Sequence, residues 1–163
     1  MSMNARVQSL LEQEHVPFRT HAHAHVTTAQ RVAEATHVPG RDVAKVVVVR
    51  SARGKYLMAV LPASCRLDLD ALRDLAGAGR LTLAHEDEVQ QLFPDCELGA
   101  MPPLGGLYDM PVYVDACFRR DEPLFFEAGT HRELVEMSFG EFERLAAPVI
   151  GEFCSHERVS TGP

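Results

Sequence analysis

Long apolar runs are missing from this chain; those present, such as "VVVV" before Arg50, are strand-sized and far short of a membrane span. The first residues, "MSMNARVQSLLEQEH", lack a basic leader, an apolar core and a small-residue cleavage site, so a cytoplasmic protein with no membrane partner is expected. Cysteine is sparse. Cys65, Cys96, Cys117 and Cys154 form no CxxC pair, which argues against a zinc knuckle or thioredoxin-like motif and for reduced thiols. Cys117, flanked by apolar residues, is expected as a buried core thiol. Positive charge is also short: 16 Lys and Arg face 23 Asp and Glu, for a formal charge of −7. That balance excludes a sequence-blind, phosphate-gripping surface for DNA but leaves room for a small local nucleic-acid contact. HExxH, GxSxG, P-loop and Rossmann patterns are absent, so the corresponding metalloprotease, α/β-hydrolase, NTPase and dinucleotide readings lose support.

What is present reads as one globular domain. The chain has 163 residues, 46% hydrophobic and 24% charged, with a domain expected over 1–152 and a polar tail over 153–163. Val7, Leu10 and Leu11 lie at helical spacing, and Pro17 closes that helix. "PFRTHAH" runs extended. Thr27 with Gln30 looks like a capping box for a second helix, stopped by Pro39-Gly40. Two β-rich segments then flank a turn at Arg53-Gly54, as in a hairpin. Further on come a helix in "LDLDALRDLAGAGR", a strand "LTLA", a helix "EDEVQQLF" before Pro94, strands in "MPVYVDACF" and "PLFFEAG", and a strand-to-helix change at Ser138 with Glu141 completing a capping box. Strands and helices mix without strict alternation. A mixed α/β (α+β) fold follows, with one mixed, curved sheet flanked by helices.

Four stretches carry candidate chemistry. In "HAHAH", His21, His23 and His25 would share one face of an extended strand. A catalytic zinc site usually adds a carboxylate or a more distant histidine, and no HExxH helix is present, so one histidine lining a pocket is favoured over a metal site. Lys45 enters an apolar run; its ammonium either snorkels to water or meets an anionic or ester oxygen in a pocket. "GAMPPLGGL", Gly99 to Leu107, is too rich in Pro and Gly for a regular element and too apolar for an ordinary surface loop, which favours a ligand loop. In "EAGTHRE", Gly129 permits close backbone approach, while Thr130 and His131 offer donors and a possible base; the alternative is a plain strand-ending turn.

The order of these pieces resembles the YbaK/ProX-type aminoacyl-tRNA deacylase family, trans-editing domains related to the insertion domain of bacterial prolyl-tRNA synthetase. The likeness spans about residues 5 to 150: His23 with the Thr28 helix, "VAKVVVV", "GAMPPLGG" and "LFFEAGTHRELVEMSFGEFERL" in register. The resemblance implies hydrolysis of the ester between a small mischarged amino acid and the tRNA 3′ end. It implies Lys45 and Gly129 as catalytic positions. His23, Thr28, Gly99, Ala100, Met101, Pro102, Pro103, Gly105, Thr130 and His131 would form the substrate site, with no metal or cofactor and with a synthetase as a second partner. Pro102 and the Thr130-His131 pair depart from the family pattern, and both positions bear on amino-acid specificity. Two competing expectations are a binding module of the same fold without turnover and a metal-dependent hydrolase built on the three histidines.

Overall fold

Asn4 opens α1 (Ala5–Gln13) by accepting the Arg6 and Val7 amides on its side chain, and Val7 and Leu11 bury the expected apolar stripe. The computed structural model describes residues 3–155. After β1 (Arg19–Ala22) comes α2 (Ala29–Thr36), capped by Thr28 rather than Thr27 because the Thr28 hydroxyl reaches the Arg31 amide. It ends before Pro39, at His37, which turns the chain left-handed with φ 60°. The expected hairpin is β2 (Ala44–Ser51) against β3 (Tyr56–Pro62), paired antiparallel around the turn that holds Gly54.

Then follow β4 (Arg66–Leu67), α3 (Leu69–Ala76) between Asp68 and a left-handed Gly77, β5 (Leu81–Leu83) and α4 (Glu86–Leu92). The second half holds β6 (Val112–Asp115), β7 (Pro123–Glu127), β8 (Glu133–Ser138), α5 (Phe139–Ala146), β9 (Val149–Gly151) and β10 (Cys154–Ser155). Ser138 caps α5 by accepting the Glu141 amide, while the Glu141 carboxylate turns instead to Arg144.

The fold is mixed α+β, as the sequence predicts, but its strands divide into more than one sheet. A five-stranded sheet runs β5-β2-β3-β6-β9, antiparallel in its first half and parallel where β3 meets β6 and β6 meets β9. A three-stranded antiparallel sheet runs β1-β8-β7, and β10 pairs with β4. A parallel bridge from Val43 to Phe125 joins the first two.

Strand parity sorts the core. Ala44 and Val48 of β2 face a large cluster with Val7 and Leu11 of α1, Phe139 and Phe142 of α5, and Met101 and Leu104. Val47 and Val49 face a second cluster with Leu72 of α3 and Phe153. β3 is buried on both faces, which explains its unbroken apolar run.

Two expectations about the cysteines fail here. Cys65 and Cys154, 89 residues apart, are joined by a disulfide, because β10 folds back on β4 and pairs Cys154 with Leu67. Closing a loop of that length constrains the unfolded chain by roughly 4–5 kcal/mol. Cys117 is exposed, since it lies in the turn after β6 rather than in the strand. The packed chain also runs past Glu152: Phe153 is buried and Cys154 is bonded, while the rest of the expected tail lies outside the described residues.

Candidate active site

Two glycine turns are the centre of the candidate site. Gly99 (φ 90°) and Gly129 (φ 104°) both hold backbone conformations that side chains disfavour. Short backbone bonds lock them together: the Gly129 amide donates to Ala100 O at 2.7 Å, and the Glu97 amide donates to Gly129 O at 2.9 Å. The Gly129 amide is therefore spent inside the protein. The Gly99 amide instead meets the Met101 sulfur at 3.3 Å, a weak acceptor that a charged oxygen readily replaces. Beyond it Ala100, Met101, Pro102, Pro103, Leu104 and Gly105 are all buried, so the apolar loop packs inward. Gly105 comes so close to Met110 that a Cβ there would sit 2.5 Å from its carbonyl oxygen.

A buried acid–histidine clasp braces both turns. His131 is 3% exposed and Glu127 is 7% exposed. The His131 Nε2–H donates to Leu98 O at 2.6 Å, since a carbonyl can only accept, and Nδ1 lies 3.2 Å from a Glu127 carboxylate oxygen. The His131 amide donates to the Glu97 carboxylate at 3.1 Å. With both ring nitrogens engaged, His131 is a brace between the two glycine turns rather than a free base. Thr130 accepts the Arg132 amide on its hydroxyl.

Burial pushes the Glu127 carboxyl up to about 7, against the pull of His131. The folded protein thus holds that proton more tightly than an unfolded glutamate would. Stability contributed by the clasp is complete below pH 4.5 and is lost as pH rises to about 7. Urea titrations across that window should record a loss on the order of 1–3 kcal/mol. Glu127→Gln fixes the neutral form and should flatten the slope; an unchanged slope would assign it to other groups.

The histidine trio separates. His21 Nε2 meets Glu136 at 2.7 Å, His25 Nε2 meets Glu97 at 3.6 Å, and His23 Nδ1–H donates to Ala24 O at 2.7 Å. Among the described residues, the one group of three or more donor atoms close enough to share a metal is Cys65, Cys117 and Cys154. His23 and His25 nonetheless adjoin the glycine turns. The His23 amide donates to Arg132 O at 2.9 Å, and the His25 ring stands edge-on to His131 with centroids 5.6 Å apart. The His23 Nε2 is buried and has no hydrogen-bond partner among the described residues. Thr28 is used as the α2 cap, and the Thr27 carbonyl faces Gly99.

Lys45 sits one register step past Ala44, on the β2 face shared by Val47 and Val49. Its half-buried ammonium donates to Cys65 O at 2.5 Å. Burial, aided by Arg66, holds its pKa below the usual lysine range. The single parallel bridge from Val43 to Phe125 is the backbone link between the start of β2 and β7, and among the described residues no hydrogen bond or ion pair joins Lys45 to the glycine turns. Glu127, Glu97 and Asn4 are the site residues that sequence reasoning missed. Glu127 did leave a trace: a glutamate ending the apolar strand "PLFFE" needs a buried partner, and His131 follows four residues later.

The family model of the aminoacyl-tRNA editing domain matches residues 23–145. The Escherichia coli K12 protein described as multifunctional Ser/Thr-tRNA deacylase ProXp-y is 28% identical over 152 residues, 91% of this chain and 90% of its own. A solved structure described as a candidate trans-editing enzyme for prolyl tRNA synthetase has TM-score 0.78 and 25% identity, covering 93% of this chain and 96% of its own. The hypothetical protein APE2540 shares the fold at TM-score 0.83 and 20% identity, over 92% of this chain and 99% of its own. With the family model spanning every candidate position from His23 to His131, the chain belongs to the aminoacyl-tRNA editing domain family.

Proposed function

We propose that this chain is a trans-editing deacylase that hydrolyses the ester joining a small mischarged amino acid to the tRNA 3′ end. The observation that carries the reading is the locked pair of glycine turns, with the Gly99 amide facing only a thioether, inside a chain of this family. An aminoacyl ester is intrinsically labile, so holding it beside a water and stabilising one developing charge suffices. Water adds to the carbonyl carbon, and the resulting oxyanion takes the Gly99 amide in place of the Met101 sulfur. Collapse breaks the bond to the ribose oxygen, which leaves with a proton. The substrate's neighbouring ribose hydroxyl assists the water.

Lys45 gives Cys65 O one of its three N–H donors and keeps two for the terminal phosphate or the ester. It positions rather than attacks. The formal charge of −7 restricts the contact to the terminal adenosine and its amino acid. An aminoacyl-tRNA synthetase in the cytoplasm supplies the remaining hold on the tRNA.

Pocket volume sets the choice of amino acid, and one methylene is worth only about 1–3 kcal/mol. Alanine, serine and proline are the candidate amino acids, and threonine joins them from the relative described as a Ser/Thr-tRNA deacylase. Purified protein should release at least one of them from mischarged tRNA faster than spontaneous hydrolysis. If every member of that panel stays intact, or is bound without accelerated release, the deacylase reading fails.

A further inference from the structure

Three of the four cysteines converge at one place, and the deacylation mechanism uses none of their sulfurs. The sulfurs of Cys65, Cys117 and Cys154 lie within 4.8 Å of one another, although they come from β4's approach, the β6 turn and β10. Cys65 and Cys154 form the disulfide, and Cys117 is a thiol on an exposed residue. One buried carboxylate organises the group. Asp115 is 1% exposed, and one of its oxygens accepts the Cys117 amide while the other accepts those of Phe153 and Cys154, each at 2.8 Å. Cys117 and Cys154 are therefore fixed to the same side chain, whereas Cys65 belongs to another segment.

We propose that Cys65, Cys117 and Cys154 form a thiol–disulfide exchange site, in which Cys117 takes Cys154 from Cys65 and so alters the seat of Lys45. The Cys117 thiol gives its proton to water, and its sulfur forms a bond to the Cys154 sulfur. The Cys65–Cys154 bond breaks, its electron pair stays on Cys65, and that sulfur takes up a proton. No net oxidation occurs, so the step needs no external oxidant. Asp115 keeps the new Cys117–Cys154 pair in register throughout. Cys65, by contrast, loses its covalent tie to β10 while its carbonyl still carries the Lys45 ammonium. A disulfide in a thiol-rich compartment is itself labile. Exposed Cys117 is the point at which a small thiol would enter. Burial of the sulfur, with the Asp115 and Glu152 carboxylates, pushes the Cys117 thiol up to about 11. Exchange is therefore slow at neutral pH and gains about tenfold per pH unit as the thiolate fraction grows.

Purified full-length protein is held in a glutathione redox buffer at pH 7 or pH 9, acid-quenched, alkylated and mapped by peptide mass spectrometry. A Cys117–Cys154 peptide should join the Cys65–Cys154 peptide, appear faster at pH 9, and vanish in Cys117→Ser, whose exposed site tolerates the change. A map that shows only Cys65–Cys154 at both pH values overturns the exchange. Amine acylation of Lys45, read from the same digests, should run several-fold faster in exchanged wild type than in Cys117→Ser. Equal rates overturn the link to Lys45. Only the consequence for catalysis rests on the deacylase reading, and neither measurement uses tRNA.

Discussion

Lys45→Ala should lower kcat for release of the mischarged amino acid by about a hundredfold or more, the usual cost of losing one well-placed charged donor in a site that excludes water. The ammonium is half-buried, partly desolvated and fixed by Cys65 O, so it does not reorganise as charge develops on the substrate. Stability should barely respond. The variant loses one hydrogen bond, worth about 1 kcal/mol, and also sheds the cost of holding a charge among apolar neighbours. Unchanged urea midpoints with collapsed kcat would therefore separate positioning from folding. Lys45→Arg tests the geometry. A guanidinium keeps the charge but replaces a compact point donor with a broad planar fork, so restoration should be partial at best. Full activity in Lys45→Ala would remove Lys45 from the site and leave the Gly99 amide as the principal charge stabiliser.

The sequence carries such a lysine openly, but not what surrounds it. Lys45 stands out because four valines follow it, and the hairpin, α1, α3 and α5 are legible from local signals: helical spacing, a Gly turn, acidic residues opening α3 and glycines closing it, and the Ser138 cap. Local signals stop where the chain closes on itself over long range. Nothing near Cys65 indicates that a two-residue strand 89 positions later will pair beside it and supply Cys154. The same limit hid the clasp. His131 reads as a possible base while its neighbours are unknown, and becomes a brace once Leu98 O and Glu127 occupy both nitrogens. "HAHAH" misled for a related reason. Alternation would put all three histidines on one side of a continuing strand, but β1 ends at Ala22, so His23 and His25 leave the strand and find separate partners. Periodicity gives direction along an element; it does not say where the element stops or what meets it.

Gly129 is where backbone conformation and packing meet, and Gly129→Ala should destabilise the fold by about 3–5 kcal/mol. Two costs combine. A φ of 104° is strained for any side chain by roughly 1–3 kcal/mol. The new Cβ would also lie 2.8 Å from the Asn4 Cβ, so either α1 shifts or the turn does. Asn4 cannot yield cheaply. It caps α1 through its side-chain oxygen, bonds Asp95 through its side-chain nitrogen at 2.9 Å, and donates its own amide to Ala128 O at 2.8 Å. Gly79→Ala serves as the control, because φ 70° there is strained but no atom lies within 4 Å of the added Cβ. It should cost only about 1 kcal/mol. A second variant, Asn4→Gly with Gly129→Ala, removes the opposing carbon at little capping penalty, since glycine serves as an N-cap within a few tenths of a kcal/mol. The pair should be more stable than the sum of the two singles predicts, by about 1 kcal/mol or more. Strict additivity would mean that the strained φ alone sets the cost and that α1 does not press on the turn. Recovery of stability together with deacylation would instead show that α1 holds the Gly129 turn in the position where it closes on Ala100.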